Sequence, residues 1–576
     1  MNFKKKASFW PSKKEWSTIF HSLNRREWLL VSVSGVVLIG TVLAMLALIN
    51  VRLSIEVPEE GGSITEGIVG TPRFINPVLS ISDADNDLTA LVYSGLMRKS
   101  SEGLVPDLGE SYTVSEDGKV YTFTLKDNAV FHDGKKVTAN DIAYTISLVK
   151  DPVVKSTKRA AWEGVDVNVI DDKTVEFILA EPFSGFLENT TLGILPKHIW
   201  EKIKPEEISF SDSNINAVGS GPYKIDKVKK KSSGVPDFYT LESFDRFVLG
   251  EPYIDNVTIK FFANESELSN AFSKNTIDSA PSLSPLRATS LEDRSVTTET
   301  TALPRVFGVF FNHNRVPLFN DPTIISALER AIDKERIVNE VMYGYATSIS
   351  SPIPPDLIDT LGEVAPSSYN PVEALSILEK KGWKQNPETG ILEKKTDKTV
   401  EKLSFSIATS DTEELKEAAA IVKENLEKIG VSVELKVYDI GTLNLTVIRP
   451  RDYDALLFGE VVGSSSDLFA FWHSSQRNDP GLNVAMYTNK DVDTLLEKAN
   501  NTSDTNARVE LYKKFESIII KDKPAIFLYS PSFIYLWNND IKGIELTNLS
   551  DQSERFNDIY KWHLHTDRIW PIFAKN

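Results

Sequence analysis

Residues able to do chemistry are sparse and poorly grouped in this chain. It has no cysteine, which excludes thiol catalysis, thiolate metal sites and disulfides in either redox compartment. Its 7 histidines are scattered. His563 and His565 share one side of an expected strand but have no third ligand nearby, so a direct metal site is a poor reading. Phe131-His132-Asp133 sets an imidazole beside a carboxylate with neither a nucleophile nor a metal partner, and reads as a structural turn. Glu460 and Asp467 remain. As paired acids they would serve glycoside hydrolysis only at a separation of roughly 5–9.5 Å across a sugar-sized groove. As single carboxylates in a cleft shut off from water, either would hold an ammonium group more strongly than a surface acid does.

The elements that position these acids follow from periodicity. Residues 403–408 read as a strand and 413–429 as a helix, with Leu415, Ala419, Val422, Leu426 and Ile429 inward and Gly430 as its stop. Val431, Val433, Leu435 and Val437 alternate in the next strand, and 454–459 makes a third. In open α/β sheets ligands collect beyond the carboxyl ends of the strands, which points to the loop after Gly459. Upstream, Tyr121, Phe123 and Leu125 share one face of a strand punctuated by the turn formers Asp117-Gly118 and Asp133-Gly134. Thr138 with Asp141 marks a capping box before a helical face of Ile142, Ile146 and Val149, which Pro152 stops. Asp321 caps another helix, with Pro322 at its first position and Ile325, Leu328 and Ile332 as its buried stripe.

Residues 104–152, LVPDLGESYTVSEDGKVYTFTLKDNAVFHDGKKVTANDIAYTISLVKDP, resemble the signature of the family 5 extracytoplasmic solute-binding proteins, the oligopeptide- and dipeptide-binding subunits of ABC importers. Further pieces follow in family order: SITEGIVGTPRFINPVLS, Gly219-Ser220-Gly221-Pro222-Tyr223, FFNHNRVPLFNDPTIISALERAIDKERI, WHSSQ with GLNVAMY, and PAIFLYSPSF. The chain departs from the pattern at Ser326, where many members have an arginine. The resemblance implies an α/β, two-lobed periplasmic-binding-protein-like fold of the type II, large peptide-binding class with an extra subdomain. It implies a receptor without cofactor, not an enzyme, that captures peptides by lobe closure and delivers them to permease and ATPase subunits. The hinge would be two chain crossings, one at Leu303, Arg305 and Phe307 and one at Leu528. Asn76, Tyr93, Glu460, Val461, Gly463, Asp467, Trp472 and Tyr529 are the implied ligand-binding residues. Several peptide binders of the family carry an aspartate that pairs with the peptide's α-amino group. Gly463 stands at that position here and Glu460 at a tryptophan position, which leaves Glu460 or Asp467 to supply the charge. The alternative keeps the architecture for an oligosaccharide or a metal chelate, and a sensor without transport comes after it.

At 576 residues the chain exceeds the usual reach of one core. Residues 1–28 form a basic cytoplasmic head, 29–50 a transmembrane signal anchor and 51–62 a polar linker. The resemblance further implies that residues 63–300 form lobe I with an inserted subdomain at about 83–205, that 301–530 form lobe II, and that 531–576 return to lobe I. The apolar run 29–49 is about 31 Å long as a helix and matches the hydrocarbon core of a bilayer. No small-x-small pair precedes Asn50-Val51-Arg52 to invite cleavage. The basic residues upstream put the N-terminus in the cytoplasm and the remainder outside, periplasmic or at the cell surface. Trp10, Trp16 and Trp28 suggest that the head lies along the inner membrane surface. The head carries a net +5, leaving −22 for the rest, which argues against nucleic acid as a partner. A monomeric, single-pass receptor of the cell membrane is expected.

Overall fold

The computed structural model describes residues 12–573 except 101, 184, 293–294, 356, 359–363, 366, 396–398, 464–466, 503 and 547–548. They form two compact units: the described parts of Met1–Glu59 with His565–Asn576, and Glu60–Leu564.

The first unit opens with the helix Lys13–Ser22, started by a capping box in which Glu15 accepts from the Ser12 N–H at 2.7 Å. Asn24 starts the helix Arg25–Leu53 in the same way: its side-chain oxygen accepts from the Arg26 and Glu27 N–H groups, and Glu27 accepts from the Asn24 N–H at 2.8 Å. The stretch Arg25–Leu46 is long and apolar enough to cross a membrane, and none of it is buried inside the chain. Trp16 and Trp28 are exposed. Trp10 falls outside the described residues.

The polar linker expected at 51–62 is corrected. The helix continues to Leu53, and Ile55–Glu59 is a strand paired antiparallel with His565–Ile569, from Ile55 opposite Ile569 to Glu59 opposite His565. The same pairing takes His565–Ile569 out of the expected return to lobe I. A strand needs a partner for its backbone groups, and this partner is far away in sequence: Glu56 and Arg568, an ion pair at 2.8 Å, are 512 residues apart. His565 opens the strand while His563 precedes it, in an isolated bridge with Lys542, so the two histidines do not share a strand. Directly opposed antiparallel residues have Cα atoms about 4.5–5.5 Å apart, within disulfide range. In this cysteine-free chain, Ile55→Cys with Ile569→Cys should therefore crosslink on mild oxidation, read as a linked peptide pair in a proteolytic digest. Two free thiols after oxidation would remove the pairing.

In the second unit the 14-residue strand Ala525–Asn538 is the axis. Its first half pairs with Arg305–Phe311, its second half with Val296–Ala302 and Ser279–Pro281. From Arg305–Phe311 the sheet continues through Ala455–Val461 and Ser404–Ser410 to Ser432–Tyr438. From Ser279–Pro281 it continues through Ser63–Val69, Asn256–Phe262 and Pro236–Ser243 to Tyr223–Lys230. The apolar cores divide along the same line: one gathers residues from 64–261, Leu303 and 533–562, while two others gather residues between Val306 and Tyr529.

The α/β unit forms as its periodicity requires. Ser404–Ser410 pairs in parallel with Ser432–Tyr438 and with Ala455–Val461, and the helix Glu413–Lys428 buries Leu415, Ala419, Val422 and Leu426 before Gly430 turns the chain at φ +87°. A separate antiparallel sheet orders Gly109–Val114, Val120–Leu125, Thr174–Leu179 and Val165–Val169, with Tyr121, Phe123 and Leu125 buried. The helices Ala139–Lys150 and Pro322–Ala331 start at the Thr138–Asp141 and Asp321 caps.

His132 clips the Gly219-Ser220-Gly221 turn. A Cβ on Gly219 or Gly221 would stand 2.0 or 2.6 Å from backbone atoms of Val92, at the end of the helix Asp83–Val92, so only glycine fits. The His132 Nδ1 accepts from the Gly219 N–H at 3.3 Å, which leaves Nε2 to donate to the Gly221 carbonyl at 3.1 Å. Asp133 in turn pairs with His198 at 2.7 Å. Burial lowers the His132 pKa to about 4, against the Gly221 hydrogen bond. The unfolded chain therefore takes up a proton near pH 6.5 that the folded chain refuses until about 4. This contribution to stability is present above pH 6.5 and is lost as the pH falls from there toward 4. Between pH 7 and 5 the unfolding free energy should drop by about 1–2 kcal/mol more in the natural chain than in His132→Gln. Urea titrations at the two pH values check it, and equal drops would remove the role.

Candidate ligand cleft

Two chain crossings join the cores, and each contains a proline. Ala302 pairs with Ser532 and Phe307 with Tyr529, so residues 303–306 stand against only Ser530 and Pro531. Pro304 and Pro531 have no N–H to give to the ladder. What spans the break is the Leu303 N–H donating to the Pro531 carbonyl at 3.1 Å and the Ser530 hydroxyl donating to the Leu303 carbonyl at 3.1 Å. Leu528 is buried beside it and Arg305 is exposed.

A cavity of about 400 Å³ lies at this break. Ser282 and Phe533 border it from one side, Leu415 and Gly459 from the other, and Leu303 and Arg305 between them. Tyr529 stacks on Phe307, with centroids 5.0 Å apart and planes 3° from parallel. Gly459 makes room for that stack, since a Cβ there would stand 2.6 Å from the Phe307 ring. A second cavity, of about 590 Å³, is bordered by Asn86, Tyr93, Arg98, Asp107, Lys158 and Glu554 among others. One short segment runs between the two: Asp551, Ser553 and Glu554 border the larger cavity and Gln552 the smaller.

The larger cavity is polar and only partly satisfied. The Tyr93 hydroxyl, Thr89 Oγ1, Arg98 Nε and Asp107 Oδ1 are buried without a hydrogen-bond partner. Burial pushes the Asp107 carboxyl up to about 6, against a hydrogen bond from Ser94 and the charge of Arg98. Lys158 donates to the Ser80 hydroxyl at 3.0 Å, and burial lowers its pKa.

The residues singled out in the sequence fall in several environments. Asn76 is buried and holds a turn: its Nδ2 donates to Asn214 Oδ1 at 3.0 Å and its Oδ1 accepts from the Val78 N–H at 2.9 Å, while its neighbour Pro77 borders the larger cavity. Tyr93 borders the larger cavity and Tyr529 the smaller. Trp472 is 0% exposed and packs among Phe310, Tyr487 and Phe527 in a core. Glu460, 4% exposed, pairs with Val306 in the strand register and borders neither cavity. Its Oε2 has no partner, and burial holds its carboxyl well above the ordinary range. Val461, the next residue, is 54% exposed. The Gly463 carbonyl accepts from the Ser550 hydroxyl at 3.1 Å. A Cβ on Gly463 would lie 3.6 Å from Asp467 Oδ2, so that carboxylate reaches the space a side chain at position 463 would enter. Asp467 opens the helix Asp467–Trp472 and is partly exposed, and its charge helps to raise the pKa of Glu188, behind burial.

Sequence reading missed the group that fixes the segment between the cavities. Arg555 makes a two-pronged pair with Asp87, at 2.8 and 2.9 Å, and a further pair with Glu66, all three side chains being fully buried. Tyr535 and Ser279 donate to the other Glu66 oxygen at 2.6 and 2.8 Å. No local signal marks these residues, which lie on five separate elements. Among the described residues no group of three or more His, Asp or Glu side chains gathers as a metal site.

A ligand space set where paired strands cross between separate cores is the plan of a two-lobed binding protein that closes on its cargo. The chain belongs to the bacterial extracellular solute-binding proteins, family 5, whose middle-region model matches residues 103–481. It is similar to the oligopeptide-binding protein AppA of Bacillus subtilis, 28% identical over 523 residues that cover 88% of this chain and 92% of that one. It is also similar to the dipeptide-binding protein of Escherichia coli, 23% identical over 505 residues, 82% of this chain and 90% of that one. Among solved structures, AppA in complex with a nonapeptide matches with a TM-score of 0.67 at 26% identity over 88% of this chain and all of that one. NikZ from Campylobacter jejuni in complex with Ni(L-His) matches with a TM-score of 0.69 at 28% identity over 87% of this chain and 99% of that one. The mixed α/β fold is thus that of the periplasmic binding proteins, preceded by one long apolar helix.

Proposed function

We propose that this chain captures short peptides outside the cytoplasm and delivers them to an ABC permease. Residues 63–300 with 531–564 act as one lobe and 301–530 as the other, closing about the Leu303–Pro304 and Ser530–Pro531 crossings. The observation that carries the reading is the cavity at that break, with walls from both sets of cores, in a fold shared with a nonapeptide-bound relative. Asp467 is the ammonium anchor in this reading, because its carboxylate lies beside Gly463 while Glu460 is shut into the sheet. The polar groups along the larger cavity take peptide backbone and side chains, directly or through water. The helix Arg25–Leu53 stays uncleaved and holds a monomeric receptor to the cell membrane, with the basic head inside.

Native mass spectrometry of the full chain, extracted gently in detergent and then denatured, tests the cargo. A ladder of short peptides is the expected result. A single non-peptide mass would replace peptides by a chelate or an oligosaccharide. The likeness to NikZ with its Ni(L-His) favours a chelate as that second reading.

A further inference from the structure

The strand His565–Ile569 brings the chain back to the far end of the long apolar helix. Its register sets Ile569 opposite Ile55, just past the helix end at Leu53. The next residue, Trp570, donates from its indole Nε1 to Asn50 Oδ1 at 2.5 Å. If hydrocarbon begins after Trp28, about 20 helical residues cross it, and the crossing ends near Asn50. The Trp570 indole is therefore tied to the helix at the level where headgroups meet hydrocarbon, the depth that indoles favour. The residues gathered there turn apolar surface outward: Leu53 is 51% exposed, Ile55 42%, Trp570 41% and Ile572 78%. Arg52 and Arg568 are exposed among them, and Arg568 is held by Glu56.

An apolar rim with basic residues at the end of a membrane-crossing helix matches the lipid interface and little else. Water would be in contact with an indole and three aliphatic side chains, whereas the headgroup layer takes up both the aliphatic carbon and the indole N–H side. We infer that Trp570–Ile572 is a second membrane contact: this segment lies in the outer headgroup layer against the end of the helix Arg25–Leu53, so two segments far apart in sequence together hold the bilayer. The inference rests on the helix crossing the membrane. It adds that the strand pair Ile55–Glu59 with His565–Ile569 stands on the surface as a fixed post.

The absence of cysteine lets one label be placed at a time. The full chain is reconstituted in phosphatidylethanolamine–phosphatidylglycerol nanodiscs with a nitroxide at Ile572→Cys, at Leu38→Cys within the helix, or at Asp567→Cys on the strand. Collision rates are measured with oxygen, which concentrates in hydrocarbon, and with a water-soluble nickel chelate. The expected order of the oxygen-to-nickel ratio is Leu38 highest, Ile572 intermediate and Asp567 lowest, and adding Trp570→Ala should move the Ile572 ratio toward that of Asp567. A watery Ile572 label beside a hydrocarbon Leu38 label would overturn this inference and leave the helix anchor standing. Watery labels at both would overturn the anchor as well. An Ile572 label protected from both reagents would overturn the lipid contact in favour of a protein partner.

Discussion

Replacing Arg555 by methionine is expected to lower the unfolding free energy of the Glu60–Leu564 unit by about 3–5 kcal/mol. The guanidinium is fully buried between Asp87 and Glu66, and it lies 4.0 Å from the Phe556 ring centroid. Removing it leaves two fully buried carboxylates, close enough that Glu66 already helps to raise the pKa of Asp87. Burial pushes Asp87 up to about 7 even with Arg555 pulling the other way. A second change separates lost charge balance from lost packing. Glu66→Gln with Asp87→Asn in the Arg555→Met background should recover much of the loss, because neutral groups in the same volume leave no uncompensated charge. Urea titration reads both, and a loss under about 1 kcal/mol for Arg555→Met alone would show that the triad does not clamp the fold. The effect should reach the ligand, since the clamped segment supplies Asp551, Gln552 and Glu554 to the two cavities.

Asp467→Asn should weaken peptide binding by about 2–3 kcal/mol, roughly 30- to 150-fold, while Glu460→Gln should change it less than about threefold. The contrast follows from position. A carboxylate that meets an ammonium group away from water loses both the charge and the hydrogen bond when it becomes an amide. Asp467 is partly exposed beside Gly463, whereas Glu460 is shut into the sheet and its carboxyl is already held toward the protonated form by burial, so the amide resembles what it replaces. Isothermal titration with a tripeptide and with its N-acetyl form measures both effects. The acetylated peptide should bind natural chain and Asp467→Asn alike. A large loss in Glu460→Gln with none in Asp467→Asn would reverse the assignment.

The α/β unit was legible because each of its faces repeats locally: Leu415, Ala419, Val422 and Leu426 announce a buried helical stripe without knowledge of what covers it. Caps at Asp141 and Asp321 were legible for the same reason. Glu460 was harder, because its burial depends on strand register: being opposite Val306 rather than Phe307 decides which side of the sheet it faces. Trp472 illustrates a second limit, since an aromatic residue in a core and one in a ligand pocket have the same local sequence. The Arg555 triad and the Ile55–Ile569 pairing were beyond reach, because their partners come from opposite ends of the chain.

That last pairing also bears on how the protein is made. Ile55–Glu59 is made early in synthesis, yet the strand that pairs with it begins only at His565, after residues 60–564 have been produced. Until then Ile55–Glu59 is an unpaired strand edge, open to cleavage and to pairing with other chains. Closing it late costs only a little more chain entropy than closing a much shorter loop, because that cost grows with the logarithm of loop length. A chain that stops short of residue 565 keeps the open edge, whereas one that includes His565–Ile569 covers it.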